Sequence, residues 1–396
     1  MPDLPAPPPH RPRSPRPAPS PPAGTGRARR RATGSVAARR RCSVMARGPI
    51  HGRGMVGGWE HPVNAGRGAA PGGRVMLADT GPRGMSTPRD RCDTLPGDAS
   101  EGSPAMLTSM VCRYDHFLTE WYGHWAGRLP LARYGIDPAP RPGRPHRKAW
   151  EWCAIAQALA ERDMLRPGRT GCGFAVGTEP LPAAFAAAGA QILATDQAMT
   201  AEAGAWVTTN QHAASLDSLF QPELIDRAGF EARVRFRPAD MRALGLPWEE
   251  RFDFLWSSCS IEHLGSLEAG WQFVEGAMQL LRPGGVAVHT TEFNVSSNEA
   301  TLSEGDSVIY RRQDIEALDR RLRARGYGLS CCDFFAGDHP HDLDFDIPPY
   351  GLPDRQHVKL LLGGHVSTSM LLILRKGKVE APTDATGQDA APQHPR

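Results

Sequence analysis

Between residues 146 and 294 short apolar runs alternate with stretches of helical spacing, and few folds accommodate that alternation. "HRKAWEWCAIAQALAERDML" carries Trp152, Ile155 and Leu159 at i, i+3 and i+7, and Pro167 with Gly168 ends it. "GCGFAVG" reads as a short strand entering a glycine turn. "LPAAFAAAG" sets Leu181, Phe185 and Ala188 on one helix face before Gly189. "QILATD" is an apolar strand ending in Asp196, and "ARVRFRPAD" alternates Val234 and Phe236 as it approaches Asp240. "FDFLWSS" is a buried strand. Leu267, Trp271, Val274, Met278 and Leu281 then keep helical spacing until Pro283, Gly284 and Gly285, after which "VAVHTT" is a further strand. Strands separated by helices need crossover connections, and those produce a parallel sheet covered on both faces.

The last part of the chain changes character. Ile315, Leu318 and Leu322 mark a helix ended by Gly326. "YGLSCCDFF" and "TSMLLILRK" are strands with no clear helix between them, so an antiparallel pair at the sheet edge is expected. Upstream, "YDHFLTEWYGHWAGRL" has aromatic residues on nearly every turn and predicts a helical segment before a Pro/Arg linker. "GDHPHDLDFDIPPY", taken as a strand, places Asp342, Asp344 and Asp346 on one face with His339 and His341 nearby. Such a set either holds a divalent metal or is a solvated loop.

Composition divides the chain. Residues 1–105 hold 17 Arg, no Lys and 7 acidic residues, while residues 106–396 hold 29 basic and 36 acidic ones. The first segment is rich in Pro, Arg, Gly and Ala and lacks apolar periodicity, so it cannot offset its ordering entropy and is expected to be disordered. Its Arg runs, Arg29–Arg31 and Arg39–Arg41, suit nucleic acid or anionic lipid. The stronger reading is translation upstream of a later start, at Met85, Met106 or Met110. The expected organisation is a 1–105 disordered segment, a 106–145 helical segment with linker, a 146–378 catalytic domain and a 379–396 tail. No window approaches the roughly 18–20 apolar residues of a membrane span, and no secretory core follows the basic start. The eight cysteines show no CxxC spacing; reduced thiols in a cytoplasmic protein are expected.

In open α/β sheets ligands bind beyond the carboxyl ends of the strands, so the chemistry belongs to the residues that follow each strand. The turn "GFAVGTEPLP" lets backbone approach a ligand closely at Ala175 and Gly177. Asp196, 19 residues after Gly177, is placed to accept both hydroxyls of a ribose. Together these indicate a nucleoside cofactor without choosing which, and the absence of GK[ST] excludes a P-loop. In "PADM", Asp240 suits an adenine amine and Met241 the ring; the other reading of Asp240 is a solvated acid at a helix start. "SSCSIEHLGSL" brings Ser257, Ser258, Glu262 and His263 to the same rim, and "LLRPGGVAVHTTEFN" adds Glu292 and Asn294.

The order of turn, Asp196, "AD", "IEHL" and "LLRPGG" resembles the class I S-adenosylmethionine-dependent methyltransferases, and within them bacterial enzymes that modify small molecules and sugars. The resemblance covers residues 146–376. It implies S-adenosylmethionine as cofactor and a Rossmann-like seven-stranded sheet with an antiparallel last strand and helices on both faces. The family's first turn usually reads acid-x-Gly-x-Gly-x-Gly. Here Gly173 stands at the acid, Ala175 and Gly177 at the first two glycines, and Glu179 at the third. Two consequences are open. Either Glu179 itself bonds the cofactor's ammonium or ribose, or cofactor affinity is weak. The cofactor-binding set is thus Ala175, Gly177, Glu179, Asp196, Asp240, Met241 and Ser257.

The implied reaction is in-line methyl transfer to a small-molecule or glycan acceptor, with oxygen the expected acceptor atom. His263 is the candidate base, its alternative role being to shape the turn after the fourth strand. Glu292 is the second candidate catalytic group, Asn294 a candidate for holding the acceptor, and Arg311 with Arg312 for an anionic portion of it. His289, inside a strand, is expected to be a satisfied core residue. The polar stretch after Asn294 is long enough to form a lid. Two other classes stay in view: an NAD(P)-dependent oxidoreductase, whose ribose Asp196 would equally serve, and a non-catalytic member of the fold acting as a partner subunit. The acidic balance of residues 106–396 argues against nucleic acid as acceptor.

Overall fold

The alternating runs pair into one sheet in the computed structural model, which describes residues 106–137, 145–198, 211–244, 248, 251–352 and 355–377, all within the compact unit Met55–Arg396. The readings of residues 1–105 and 379–396 lie outside the described residues. In chain order the strands are β1 (Ser109–Val111), β2 (Thr170–Phe174), β3 (Gln191–Asp196), β4 (Val234–Pro238), β5 (Phe252–Ser258), β6 (Leu281–Asn294), β7 (Tyr327–Leu329), β8 (Cys332–Asp333), β9 (Leu360–Leu362) and β10 (His365–Lys376). The helices are α1 (Glu120–Ala126), α2 (Arg147–Glu161), α3 (Leu181–Ala187), α4 (Arg227–Arg233), α5 (Leu267–Gln279), α6 (Arg312–Arg323) and the single turn α7 (Pro340–Leu343).

The sheet runs β4-β3-β2-β5-β6-β10, with β2 to β6 parallel and β10 antiparallel to β6 along nine paired positions from Ser367↔Asn294 to Arg375↔Val286. β7 pairs antiparallel with the end of β10, as the expected hairpin requires. The described sheet has ten strands rather than seven. The additions are short: β9 folds back on β10, β1 pairs with the middle of β10, and β8 pairs with β1. The segment before the linker therefore contributes a strand as well as helix, and α1 packs on α2.

Side-chain parity explains the layering. On β5, Phe254 and Trp256 enter the core beneath α2 and α3, whereas Leu255 between them enters the core beneath α5 and α6. Neighbouring β2 answers with glycines: a Cβ on Gly171 would lie 2.2 Å from the Phe254 ring, and one on Gly173 would lie 2.3 Å from the Trp256 ring. Helix α5 starts where Ser266 accepts a hydrogen bond from the Ala269 amide at 3.1 Å, and it buries Trp271, Val274 and Met278. Chain order turns back between β2 and β5, which puts a crevice beyond their carboxyl ends.

Two local expectations are corrected. β6 begins at Leu281, which pairs with Phe252 of β5, and ends at Asn294, longer than "VAVHTT", because β10 pairs with it as far as Asn294. "GDHPHDLDFDIPPY" is one helical turn and loop rather than a strand, so its carboxylates do not share a face. Asp342 accepts the Tyr114 amide and the buried Lys359 ammonium, and Asp346 accepts His357 and the Gly351 amide. His339 and His341 pack on the Tyr114 ring instead. Finally, Cys112, Cys153, Cys172, Cys259 and Cys332 are free thiols as expected. Among the described residues no helix is long and apolar enough to cross a membrane.

Candidate active site

A cavity of about 280 Å³ opens at the crevice between β2 and β5. Its walls are the turn after β2, the ends of β3 and β4, the exit of β5 and one face of α2. Six of the seven residues assigned from the sequence to the cofactor reach it: Ala175, Gly177, Glu179, Asp196, Asp240 and Met241. His263 reaches it too.

The turn after β2 is held in left-handed backbone, with φ of 46° at Ala175 and 52° at Gly177. A side chain at 177 would also meet the Gln211 carbonyl at 2.3 Å, so glycine is required there on two counts. Asp196 fastens the turn. Its carboxylate accepts the amides of Gly177 at 3.1 Å, Ala213 at 2.9 Å and Gln197 at 2.8 Å. Burial raises its pKa, and those three amides oppose the rise.

Glu179 explains why the family's acid is missing from position 173. The Trp256 ring occupies the space above Gly173, and its indole Nε1 donates to Glu179 Oε1 at 2.7 Å. The acid has in effect moved six residues along the turn, with the tryptophan between. Glu179 is only 3% exposed and makes no ion pair with any described residue. Burial pushes its pKa up to about 8. Asp240 is a different kind of acid. It caps the turn that follows β4, accepts the Arg242 amide at 2.9 Å and pairs with the Arg242 guanidinium, which holds its pKa below the usual range. Met241 beside it is buried.

The exit of β5 supplies the remaining wall. Cys259 has φ 45°, and its amide donates to the Thr290 carbonyl and hydroxyl on β6. This turn aims Ser258, Cys259, Ser260 and His263 into the cavity. The Ser260 hydroxyl is buried with no hydrogen-bond partner. His263 Nδ1 lies 2.8 Å from the Asp306 carbonyl. A carbonyl only accepts, so Nδ1 carries a proton, and in the neutral ring the lone pair is on Nε2, 4.0 Å from Glu262 Oε1. The polar stretch after β6 that supplies Asp306 is no loose lid. Val308 donates to Glu262, Gly305 to Gly265, and Val308, Ile309 and Tyr310 are fully buried.

The other residues singled out from the sequence are not on the cavity wall. Ser257 has the opposite parity to Ser258, and its hydroxyl meets His289 Nδ1 at 2.8 Å inside the core. Glu292 lies within β6 rather than at a rim, fully buried, paired with Arg147 Nη2 at 2.5 Å and accepting from the Ser367 hydroxyl. Asn294 organises the following loop, accepting the amides of Ser296 and Ser297 and donating to the Ala300 carbonyl. Arg311 is held by Asp314, and Arg312 by Glu316 and the Phe334 ring.

From the cavity wall inward, the polar groups at the β5 exit form a bonded layer. Lys148 pairs with Glu151 at 2.7 Å, and Glu151 also accepts from Ser369, Ser258 and Cys259. Glu262 accepts the Thr291 hydroxyl, and burial together with neighbouring Glu292 pushes its pKa up to about 8. Cys259, Glu262 and Glu292 offer ligand atoms within 4.8 Å of one another, the one such group of three among the described residues. Arg147 already neutralises Glu292, and the thiol donates to Glu151, so the cluster works as an acid network. Sequence reasoning missed Lys148, Trp152, Gln211, His212, Arg242 and Ser260 on the wall. Lys148 and Trp152 carried one usable signal, an i,i+4 spacing that puts a cation and a ring on one helix face.

Residues 169–289 match the family model of a methyltransferase domain. No curated protein matches the chain. Among solved structures it is similar to magnesium protoporphyrin IX methyltransferase from Synechocystis PCC 6803, at 12% identity over 57% of this chain and 82% of that one, TM-score 0.35. It is also similar to a putative sarcosine dimethylglycine methyltransferase from Galdieria sulphuraria, at 13% identity over 58% and 85%, TM-score 0.35. A third is an S-adenosylmethionine-dependent methyltransferase from Mesorhizobium loti, at 15% identity over 56% and 98%, TM-score 0.34. These likenesses are distant, and the assignment stands on the matched segment and on the sheet around it. With five parallel strands, an antiparallel β10 inserted between β6 and β7, and the cavity at the switch point, the chain places residues 169–289, the segment that matches a methyltransferase domain, in a Rossmann-like sheet.

Proposed function

We propose that the domain methylates a hydroxyl oxygen of a small-molecule acceptor, glycans included, with His263 as the general base. The observation that carries this reading is the His263 ring: the Asp306 carbonyl selects the Nδ1–H tautomer, so the proton-accepting nitrogen is Nε2, on a residue lining the cavity. The buried, unpartnered Ser260 hydroxyl beside it suits a hydrogen bond to the acceptor. The acidic balance of residues 106–396 favours a small polar acceptor over nucleic acid.

The cavity suits the cofactor. Gly177 and Ala175 leave room for close backbone approach, Asp196 faces the space with a carboxylate for ribose hydroxyls, and Asp240 with Met241 offers an edge and a face for adenine. When bound, S-adenosylmethionine supplies an electrophilic methyl group on a sulfonium. The protein's work is alignment and proton removal: the β5 exit presents the acceptor oxygen, and His263 takes its proton as the oxygen becomes nucleophilic. Glu292, paired with Arg147 behind the wall, keeps α2 on the sheet in this reading and does not touch the acceptor.

The test combines purified protein, isotope-labelled S-adenosylmethionine and fractionated small-molecule extract, with mass spectrometry of labelled products. A product labelled at oxygen identifies the acceptor. With that acceptor, His263→Ala is expected to lower kcat by about 10²–10⁴-fold. An unchanged rate removes His263 as base, and a label found on nitrogen or carbon overturns the oxygen assignment.

A further inference from the structure

We infer that Glu179 and Lys148 form a clamp for the α-amino-acid end of the cofactor, Glu179 receiving its ammonium and Lys148 its carboxylate. The inference rests on the proposed use of this cavity for S-adenosylmethionine, and it adds Lys148, a residue on α2 outside the turn that names the family.

Both groups line the same cavity, Glu179 from the turn after β2 and Lys148 from α2, and the Lys148 ammonium is near enough to act on the Glu179 carboxyl. Their chemistry is complementary to a zwitterion. Glu179 is a buried carboxyl that accepts from a neutral indole N–H, and no cation among the described residues forms an ion pair with it. A buried acid without a cation is costly to ionise unless a ligand brings the positive charge. Lys148 donates one hydrogen bond to Glu151 at 2.7 Å, and an ammonium has three donors, so two remain for a carboxylate. Trp152, one turn further along α2, closes the same wall.

The protonation balance follows. The groups facing Glu179 are Trp256 on β5, Lys148 and Glu151 on α2, Asp196 on β3 and Tyr134. Burial outweighs Lys148 among them, and the carboxyl is raised to about 8, so the ligand-free site holds its proton at neutral pH. Receiving an ammonium ionises the acid, and that proton leaves to the buffer. Affinity therefore rises with pH below about 8.

Titration calorimetry with three probes tests the clamp: S-adenosylmethionine, S-adenosylhomocysteine, and methylthioadenosine, which keeps the nucleoside and lacks the amino-acid end. At pH 7, Glu179→Gln and Lys148→Met are each expected to weaken the first two by about tenfold or more, the loss of one charged hydrogen bond. Methylthioadenosine should change less than about twofold, which also shows that each variant is folded. Lys148→Arg should restore most of the affinity. Repeating the wild-type titration in buffers of different ionisation enthalpy should show close to one proton released per S-adenosylmethionine, abolished in Glu179→Gln. Equal losses for all three probes, or no proton release, overturn the clamp. Failure of the wild-type protein to bind any of the three instead overturns the underlying reading of the cavity.

Discussion

Glu179 and Glu292 are both buried carboxyls in the same domain, and they were built for different ends. Glu292 sits in β6 with the Arg147 guanidinium at 2.5 Å and the Ser367 hydroxyl on its other oxygen. Glu179 sits on the cavity wall with an indole N–H and no ion-pair partner among the described residues. An acid that carries its own counter-ion is complete, and its contribution is to join α2 to β6 and β10. An acid in a cavity without one is, under the clamp proposed above, a receptor for a charge that arrives from outside. The distinction separates the two walls of the crevice. Behind the β5 exit Arg147 and Glu292 are closed by their own pair, while the cavity wall keeps Glu179 without a counter-ion among the described residues.

The largest effect expected from breaking this contrast comes from removing the counter-ion. Arg147→Met leaves Glu292 buried and uncompensated, and should destabilise the domain by about 3–5 kcal/mol. Urea unfolding checks this. The double variant Arg147→Met, Glu292→Leu should recover most of the loss, because two apolar side chains then face each other. If Arg147→Met alone costs less than about 1 kcal/mol, the pair is not the closed structural unit described above.

Much of this was legible in the sequence, for a local reason. The alternation of apolar runs and helical spacing is a short-range signal, and it located β2, β3, β5, α5 and the edge pair containing β10. The residues just beyond the strands were legible because a parallel sheet sends all its ligand-facing turns to one end. What failed depended on distant partners. "TTEFN" looks like a polar rim, yet β10 covers it and Arg147, 145 residues away, neutralises Glu292. Ser257 and Ser258 are adjacent, and which one sees the cavity depends on the parity fixed by Trp256 over Gly173. Arg311 and Arg312 look available until their acids at 314 and 316 are seen to close on them. Glu179 was visible as a departure, but its reason was not, since only the fold puts the Trp256 ring where the family keeps its acid.

A smaller effect sharpens the comparison from a third acid. Glu262 is fully buried behind the wall, accepts the Thr291 hydroxyl, and has its pKa raised to about 8 by burial and then by Glu292. Its folded-state pKa is above the ordinary carboxylate value, so its contribution to stability is fully present below pH ~4.5. That contribution is lost as pH rises toward about 8, because the unfolded chain ionises first while the folded acid keeps its proton. Glutamine keeps the acceptor for Thr291 and cannot ionise. Glu262→Gln should therefore lie close to the wild type near pH 5 and gain roughly 4 kcal/mol on it by pH 9. The measurement is the difference between unfolding free energies at the two pH values. Parallel curves for the two proteins would mean that Glu262 is already ionised in the fold and belongs with Glu292, as a charge paired from within, rather than with Glu179.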